Sequence, residues 1–89
     1  MRAIVTVVGK DQVGIIASVC GRLADYNINI LDISQTVIDG YFNMIMITDI
    51  SGATKPLAEI ASSMDSEGRE HGMSVRVQRE DIFDAMHRI

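Results

Sequence analysis

The feature that most constrains the fold of this 89-residue chain is a change in the spacing of its apolar residues at Gly9. Residues 3–8 are rich in β-branched side chains, which is typical of a strand that is buried on both faces. The apolar residues that follow recur at the spacing of a helix: Ile16, Val19, Cys20 and Leu23. A strand that passes into a helix through a short loop leaves the N–H groups of the first helical turn pointing toward that loop. The segment from Lys10 to Ile16 is therefore the first candidate for a functional site, and Gly14 leaves room there for an approaching group.

The rest of the chain alternates between the patterns of strands and helices. We predict six elements in the order β-α-β-β-α-β. They cover residues 2–8, 13–25, 28–39, 41–50, about 55–71 and 73–79. The pair Asp39-Gly40 predicts a type I′ turn between the second and third strands, because both of its central positions need a positive φ. The first and third strands are apolar on both faces, whereas the second and fourth alternate between apolar and polar residues.

Polar and small residues are expected to mark the ends of the two helices. Asp11 is the predicted N-cap of the first helix, which follows the loop at residues 9–12, and Thr54 is the predicted N-cap of the second, with Pro56 in its first turn. Asn27 and Gly72 are expected just past the helix ends, since asparagine and glycine tolerate the left-handed conformation found there.

This order of elements predicts a single α+β domain over residues 1–89 with a ferredoxin-like β-α-β-β-α-β fold. In that arrangement two helices cover one face of an antiparallel four-stranded sheet, with the first and third strands at its centre. Residues 80–89 carry acids at their start, basic residues at their end and an apolar stripe, which predicts a short C-terminal helix.

The predicted sheet has more apolar surface than two helices can cover. Its central strands are apolar on both faces, and large exposed apolar patches are rare in monomeric proteins. The C-terminal helix or another copy of the chain is the simplest cover, and we predict a homodimer.

Composition excludes several classes of function. The net charge of −4 and the scattered cations argue against binding to nucleic acid or to an anionic membrane. No apolar run approaches the length of a transmembrane helix, and the N-terminus lacks the pattern of a signal peptide, so we expect a cytoplasmic protein. The single cysteine excludes an internal disulfide and any site built on a Cys-x-x-Cys pair.

The reactive side chains do not assemble into a catalytic or metal site. Cys20 lies at a core-facing helical position, where an inert buried thiol is usual, and neither His71 nor His87 has a second ligand at metal-binding spacing. The methionines of residues 43–47 fall on an inward-facing row and are interpreted as core. We therefore predict no enzyme activity, no metal centre and no cofactor.

Two segments are not explained by folding alone. One is the loop and helix start that comprises Asp11, Gln12, Val13, Gly14 and Ile15, although an N-cap followed by a tight turn would also account for it. The other is the start of the second strand, which comprises Asn29, Ile30 and Leu31. Asparagine is unfavourable within a strand, and its carboxamide is able to recognise both the amine and the carboxylate of an amino acid.

These two segments resemble the ACT domain, a small-molecule-binding regulatory module. The similarity lies in the stretch from Gly9 to Ala17 and in the Asn-Ile-Asn-Ile-Leu-Asp-Ile sequence of residues 27–33, and it extends over the whole chain. The remaining sequence is similar to a small bacterial and archaeal family of stand-alone ACT proteins that resemble half of the glycine-cleavage regulator. The chain departs from many of these relatives in carrying Val13 where proline is frequent.

The resemblance implies a site shared by two copies of the chain. The loop of one copy, here residues 11–15, would meet the start of the second strand of the other, here residues 29–31, and hold an amino acid or a similar small ligand. It also implies that two sheets pair side by side into one sheet of eight strands. The alternative is a ligand-free interaction module whose apolar sheet face or C-terminal helix docks another protein.

Overall fold

The computed structural model describes residues 1–10 and 14–81, and over these ranges the strands and helices follow the predicted order. The elements are β1 (Arg2–Lys10), α1 (Ile15–Asp25), β2 (Asn29–Ile38), β3 (Tyr41–Asp49), α2 (Leu57–Glu70) and β4 (Met73–Arg79). In this part of the chain no helix is long and apolar enough to cross a membrane. The predicted C-terminal helix begins in helical conformation at residues 80 and 81, and its remainder lies outside the described residues.

The four strands form one antiparallel sheet in the order β2-β3-β1-β4, which confirms the predicted ferredoxin-like fold. The strands that are apolar on both faces, β1 and β3, lie at the centre, and the alternating strands β2 and β4 lie at the edges. A central strand has a neighbouring strand on each side, which shields its backbone edges and part of its side chains. An edge strand lacks one of these neighbours.

One face of the sheet packs against both helices and contains the core. Val5 and Val7 of β1 pair in register with Met46 and Met44 of β3, and all four side chains are buried. The helices and the C-cap residue of α1, Tyr26, contribute the other side of the core; the buried helical residues are Val19, Leu23, Ile60 and Met64. The methionines of β3 are therefore core residues, as their inward-facing row predicted.

The opposite face of the sheet leaves apolar side chains exposed. Val8, Tyr41 and Ile45 are each at least 39% exposed there. This is the surplus of apolar surface that the sequence predicted, since the two helices cover only the other face.

Three of the predicted turns are confirmed by backbone conformation. Asn27 (φ 60°) follows α1 in the left-handed region, and the N–H groups of Asn27 and Ile28 donate to Ala24 O and Leu23 O, which is the hydrogen-bond pattern of a Schellman motif. Asp39 (φ 51°) and Gly40 (φ 80°) have the two positive φ angles of a type I′ turn. Gly72 (φ 73°) follows α2.

The predicted start of the first helix was wrong. Helix α1 begins at Ile15, not at Val13, and its N-cap residue is Gly14; the predicted N-cap, Asp11, lies outside the described residues. The residues predicted to begin the loop, Gly9 and Lys10, continue β1, because they pair with Phe42 and Tyr41 of β3.

The predicted N-cap of the second helix and the inner stripe of the first also need correction. Pro56, not Thr54, occupies the N-cap position of α2, and the N–H of Thr54 instead donates to Tyr26 O at 3.0 Å. Ile16, predicted to face the core, is 39% exposed, because it lies at the end of α1 beyond the reach of the buried cluster. Cys20 is half-buried and packs against that cluster.

Two helical glycines are expected to respond in opposite directions to the same substitution. A Cβ atom on Gly68 in α2 would lie 2.7 Å from Val75 Cγ2 and 3.1 Å from the carbonyl oxygen of Met73, whereas a Cβ atom on Gly21 in α1 would meet nothing within 4 Å. We expect Gly21→Ala to raise the free energy of unfolding by about 1 kcal/mol through helix propensity. Gly68→Ala is expected to lower it by about 1–3 kcal/mol, because β4 has to move away from the helix. Urea denaturation of both variants tests the pair, and a stabilising Gly68→Ala would show that α2 and β4 are not closely packed.

Candidate functional site

The two predicted site segments lie at opposite ends of the sheet within one chain. Asn29 pairs with Asp49, and Asp49 pairs in turn with Arg2, the first residue of β1. Gly14 follows the other end of β1, beyond Gly9. The seven residue steps of β1 from Arg2 to Gly9 span roughly 23 Å at about 3.3 Å per residue. A single chain therefore does not bring the segments together. The predicted site residues Asp11, Gln12 and Val13, and the side chain of Ile15, lie outside the described residues.

The start of α1 presents backbone donors that no side chain of the described residues caps. Gly14 has a φ of 84°, and a Cβ atom placed on it would meet nothing within 4 Å, so the space beside it is open. No side chain of the described residues caps the helix, and its first internal hydrogen bond runs from Ser18 N to Gly14 O at 2.9 Å. The N–H groups of the first turn consequently have no partner within the helix, and the helix dipole makes this end favourable for a carboxylate.

The asparagines before β2 have different roles. Asn27 is structural, since its Nδ2 donates to Gly52 O at 2.9 Å and its backbone forms the end of α1. Asn29 is exposed at the first position of β2, and Ile30 packs against the core. Leu31 lies at an irregularity of the sheet, where the register shifts between Ile30 and Asp32, and it is exposed. The side chains of Asn29 and Leu31 are thus accessible at one corner of the molecule.

Asp49 is a candidate site residue that the sequence did not indicate. It is the register partner of Asn29, so the two side chains lie on the same face of the sheet. The hydroxyl of Ser51 donates to Asp49 Oδ1 at 2.6 Å and the backbone N–H of Ser51 donates to the same atom at 2.9 Å. These hydrogen bonds hold the pKa of Asp49 below its ordinary value of 3.8. The sequence does not show that Asn29 lies opposite an acid at the end of β3, because this pairing depends on the register of β2 and β3.

Asp49 is expected to make the stability of the protein depend on pH in the acid range. Because the pKa of its carboxyl is lower in the folded state, its contribution is present above the unfolded value near 3.8 and is lost as the pH falls through the folded pKa. We expect the difference in stability between the wild type and Asp49→Asn to be largest at neutral pH and to shrink below that range. Urea midpoints of both proteins at about pH 7 and about pH 3 measure this. A difference that is the same at both pH values would contradict the assignment.

The reactive side chains do not form a second kind of site in the described part of the chain. No group of three or more His, Cys, Asp or Glu residues is placed to hold a metal ion among residues 1–10 and 14–81. Burial raises the pKa of the Cys20 thiol, which disfavours its nucleophilic thiolate form. His71 follows the last residue of α2, and His87 lies outside the described residues.

A cleft between the two helices was not predicted from the sequence. It has a volume of about 160 Å³, it opens between α1 and α2, and Gly14 lies at its edge. Arg22 of α1 and Glu67 of α2 form an ion pair beside it, with 2.6 Å between Nε and Oε2. The two residues are far apart in sequence, so no local signal could have indicated that they meet.

Comparisons of the sequence and of the structure with known proteins agree with each other. A family model of the ACT domain matches residues 2–78. The chain is similar to a UPF0237 protein of Listeria innocua, with 51% identity over 89 residues that cover 100% of both proteins. It is also similar to the solved structure of an ACT domain protein from Streptococcus pneumoniae, with a TM-score of 0.82, 39% identity and 98% of each chain covered.

A more distant solved structure shares the fold alone. It is described as a glycine cleavage system transcriptional repressor, and it matches with a TM-score of 0.74 at 20% identity. The match covers 88% of this chain and 44% of that one.

Proposed function

The chain belongs to the ACT domain family, and on that premise we propose that it is a regulatory module that binds an amino acid or a related small metabolite at the interface of a homodimer. The observation that carries the proposal is the separation of the two predicted segments. Gly14 and Asn29 lie at opposite ends of the sheet, so the site is complete only when a second copy supplies the missing half.

A dimer that pairs the β2 edges across a twofold axis would supply that half. Strands that pair in this way are antiparallel, so the end of one sheet that carries Gly14 comes beside the end of the other that carries Asn29. The loop of one copy then faces the start of β2 in its partner, on both sides of the axis.

The surface of β2 favours this mode of pairing. It is an edge strand, and apart from the half-buried Ile30 its residues are exposed. Ile33 and Val37 pair with Met46 and Phe42 of the core face, yet they remain 41% and 56% exposed. An edge strand with exposed apolar side chains is a template for pairing with another chain.

The two ends of the site have complementary chemistry for an amino acid. A carboxylate over the start of α1 would accept hydrogen bonds from the N–H groups of the first turn, where Gly14 allows close approach. The carboxamide of Asn29 would accept a hydrogen bond from the amine of the ligand, and the Asp49 carboxylate opposite Asn29 adds an attractive charge. The ligand would thereby tie two copies together, and a partner protein would respond to the change in dimer geometry or stability.

A thermal-shift screen of the purified protein against the twenty amino acids and common metabolites tests the proposal. A ligand that binds the folded state raises the melting temperature, by an amount equivalent to about 2.7 kcal/mol at a hundred times Kd. We expect the shift to disappear in Asn29→Ala and in Gly14→Val, and to persist in the control Asn43→Ala, whose residue lies toward the other end of β3 from Asp49.

Melting of the same variants without ligand separates lost binding from lost folding, since valine at the positive φ of Gly14 costs about 1–2 kcal/mol in any case. A shift that survives in Asn29→Ala would refute the assignment of the amine end. If no compound shifts the melting temperature, the proposal of a sensor is wrong and the ligand-free interaction module is favoured.

A further inference from the structure

The cleft between α1 and α2 is a second concave surface, and of the described residues assigned to the interface site it includes only Gly14. We infer that it is a separate binding site, within one chain, for a small monocarboxylate that carries a short branched apolar group. The inference does not rest on the proposed dimer, because every residue that it invokes belongs to one copy of the chain.

The size and the floor of the cleft fit a small apolar group. Its volume of about 160 Å³ equals that of about five water molecules, each of which occupies ~30 Å³ in the liquid. The floor is formed by the buried side chains of Val19, Met64, Met73 and Val75. Gly68 also lines it, and the absence of a side chain there lets α2 approach Val75 of β4 closely.

One flank of α1 lines the cleft with hydrogen-bond donors. Gly14, Ser18 and Arg22 are spaced four residues apart, so they lie one above the other on the same side of the helix. They offer the region of the helix N-terminus, a hydroxyl and a guanidinium. The acid on the opposite wall, Glu67, is already paired with Arg22. The donors on this flank therefore favour an anionic group, and the buried floor favours an apolar body.

The ion pair at the cleft is incompletely satisfied. Arg22 Nε and Glu67 Oε2 are shielded from solvent, and although they lie 2.6 Å apart, neither atom makes a hydrogen bond among the described residues. The ion-pair contact is made by Nε, and a guanidinium has five N–H donors. A ligand carboxylate would bind the remaining donors and compete with Glu67 for the same cation.

Because Glu67 and the ligand compete for Arg22, substitutions of these two residues are expected to change the affinity for the ligand in opposite directions. Removing the charge of Arg22 takes away the cation that the ligand needs, whereas removing the charge of Glu67 takes away its competitor. We expect Arg22→Gln to weaken the binding of a carboxylate by about tenfold or more, and Glu67→Gln to strengthen it.

The test is an NMR titration of the ¹⁵N-labelled full chain with isobutyrate. Isobutyramide, an uncharged molecule of the same shape, is the control ligand. Saturable shifts of the amide signals of Gly14, Ser18 and Gly68 are expected with isobutyrate and not with isobutyramide. Ser18→Leu, which fills the cleft from an exposed helical position, is expected to abolish them. Ala24→Leu, on the opposite flank of α1 and also exposed, is the matched control and is expected to leave them unchanged.

Three outcomes would overturn the inference. If Arg22→Gln and Glu67→Gln weaken the binding of isobutyrate equally, the ion pair only stabilises the structure. If isobutyramide binds as tightly as isobutyrate, the carboxylate is not recognised. The absence of saturable shifts in the wild type would exclude the site. Asn29→Ala is expected to retain isobutyrate binding, and its loss would place the probe at the dimer interface instead of in the cleft.

Discussion

Replacing Leu23 by alanine is expected to lower the free energy of unfolding by about 3–5 kcal/mol. Leu23 is completely buried between α1 and the sheet, and it belongs to the one cluster that joins both helices to the central strands. The loss combines the transfer of three carbon atoms out of the core with the cavity that they leave behind. A domain of this size has a total stability of roughly 4–13 kcal/mol, so the variant retains little of it.

Ile16→Ala is the matched control for Leu23→Ala, because it removes a side chain of equal size from the same helix at a position that is 39% exposed. The control is expected to change the free energy of unfolding by less than about 1 kcal/mol, since little burial is lost and alanine has the higher helix propensity. Urea denaturation at one fixed protein concentration measures both variants. Similar losses for the two would mean that α1 packs on the sheet through a different face.

The double variant Ile33→Lys with Val37→Lys is expected to be monomeric at protein concentrations at which the wild type forms the proposed dimer. Both side chains are exposed on the edge strand β2 and lie on the face that continues the core. In the proposed dimer each would be buried near its twofold axis, so the substitutions remove apolar burial and bring four like charges together. We expect the dissociation constant of the dimer to rise at least about a hundredfold.

Ser74→Lys, on the opposite edge strand β4, is the control for the edge and is expected to leave the dimer intact. Analytical ultracentrifugation over a range of concentrations distinguishes monomer from dimer for each variant. Dissociation in Ser74→Lys with an intact dimer in the double variant would move the interface to β4. A wild type that is monomeric at micromolar concentration would refute the dimer and, with it, the shared site.

Most of the fold was predictable from the sequence because its determinants are local or periodic. The two positive φ angles at Asp39-Gly40 and the left-handed conformation at Asn27 follow from the residue types themselves. The central place of β1 and β3 follows from their apolar character on both faces. These signals need no knowledge of which residues meet across the fold.

The candidate site was predictable only as two separate segments. The sequence identifies Gly14 and Asn29 as unusual for their positions, and it cannot give the distance between them, which depends on the register of three strands. The same register places Asp49 beside Asn29 and extends β1 through Lys10. The N-cap prediction at Asp11 was wrong, because α1 begins at Ile15 with Gly14 at the N-cap position.

The sequence by itself thus determined the order of the elements, their inner faces and their turns, since each depends on the conformational preferences and the spacing of neighbouring residues. Only the tertiary structure decided what meets across the chain: the exposure of Ile33 and Val37 at an edge, the cleft between the helices and the ion pair of Arg22 with Glu67. Contacts between residues far apart in the chain arise from the packing of whole elements. Their energies depend on distances that no local pattern encodes.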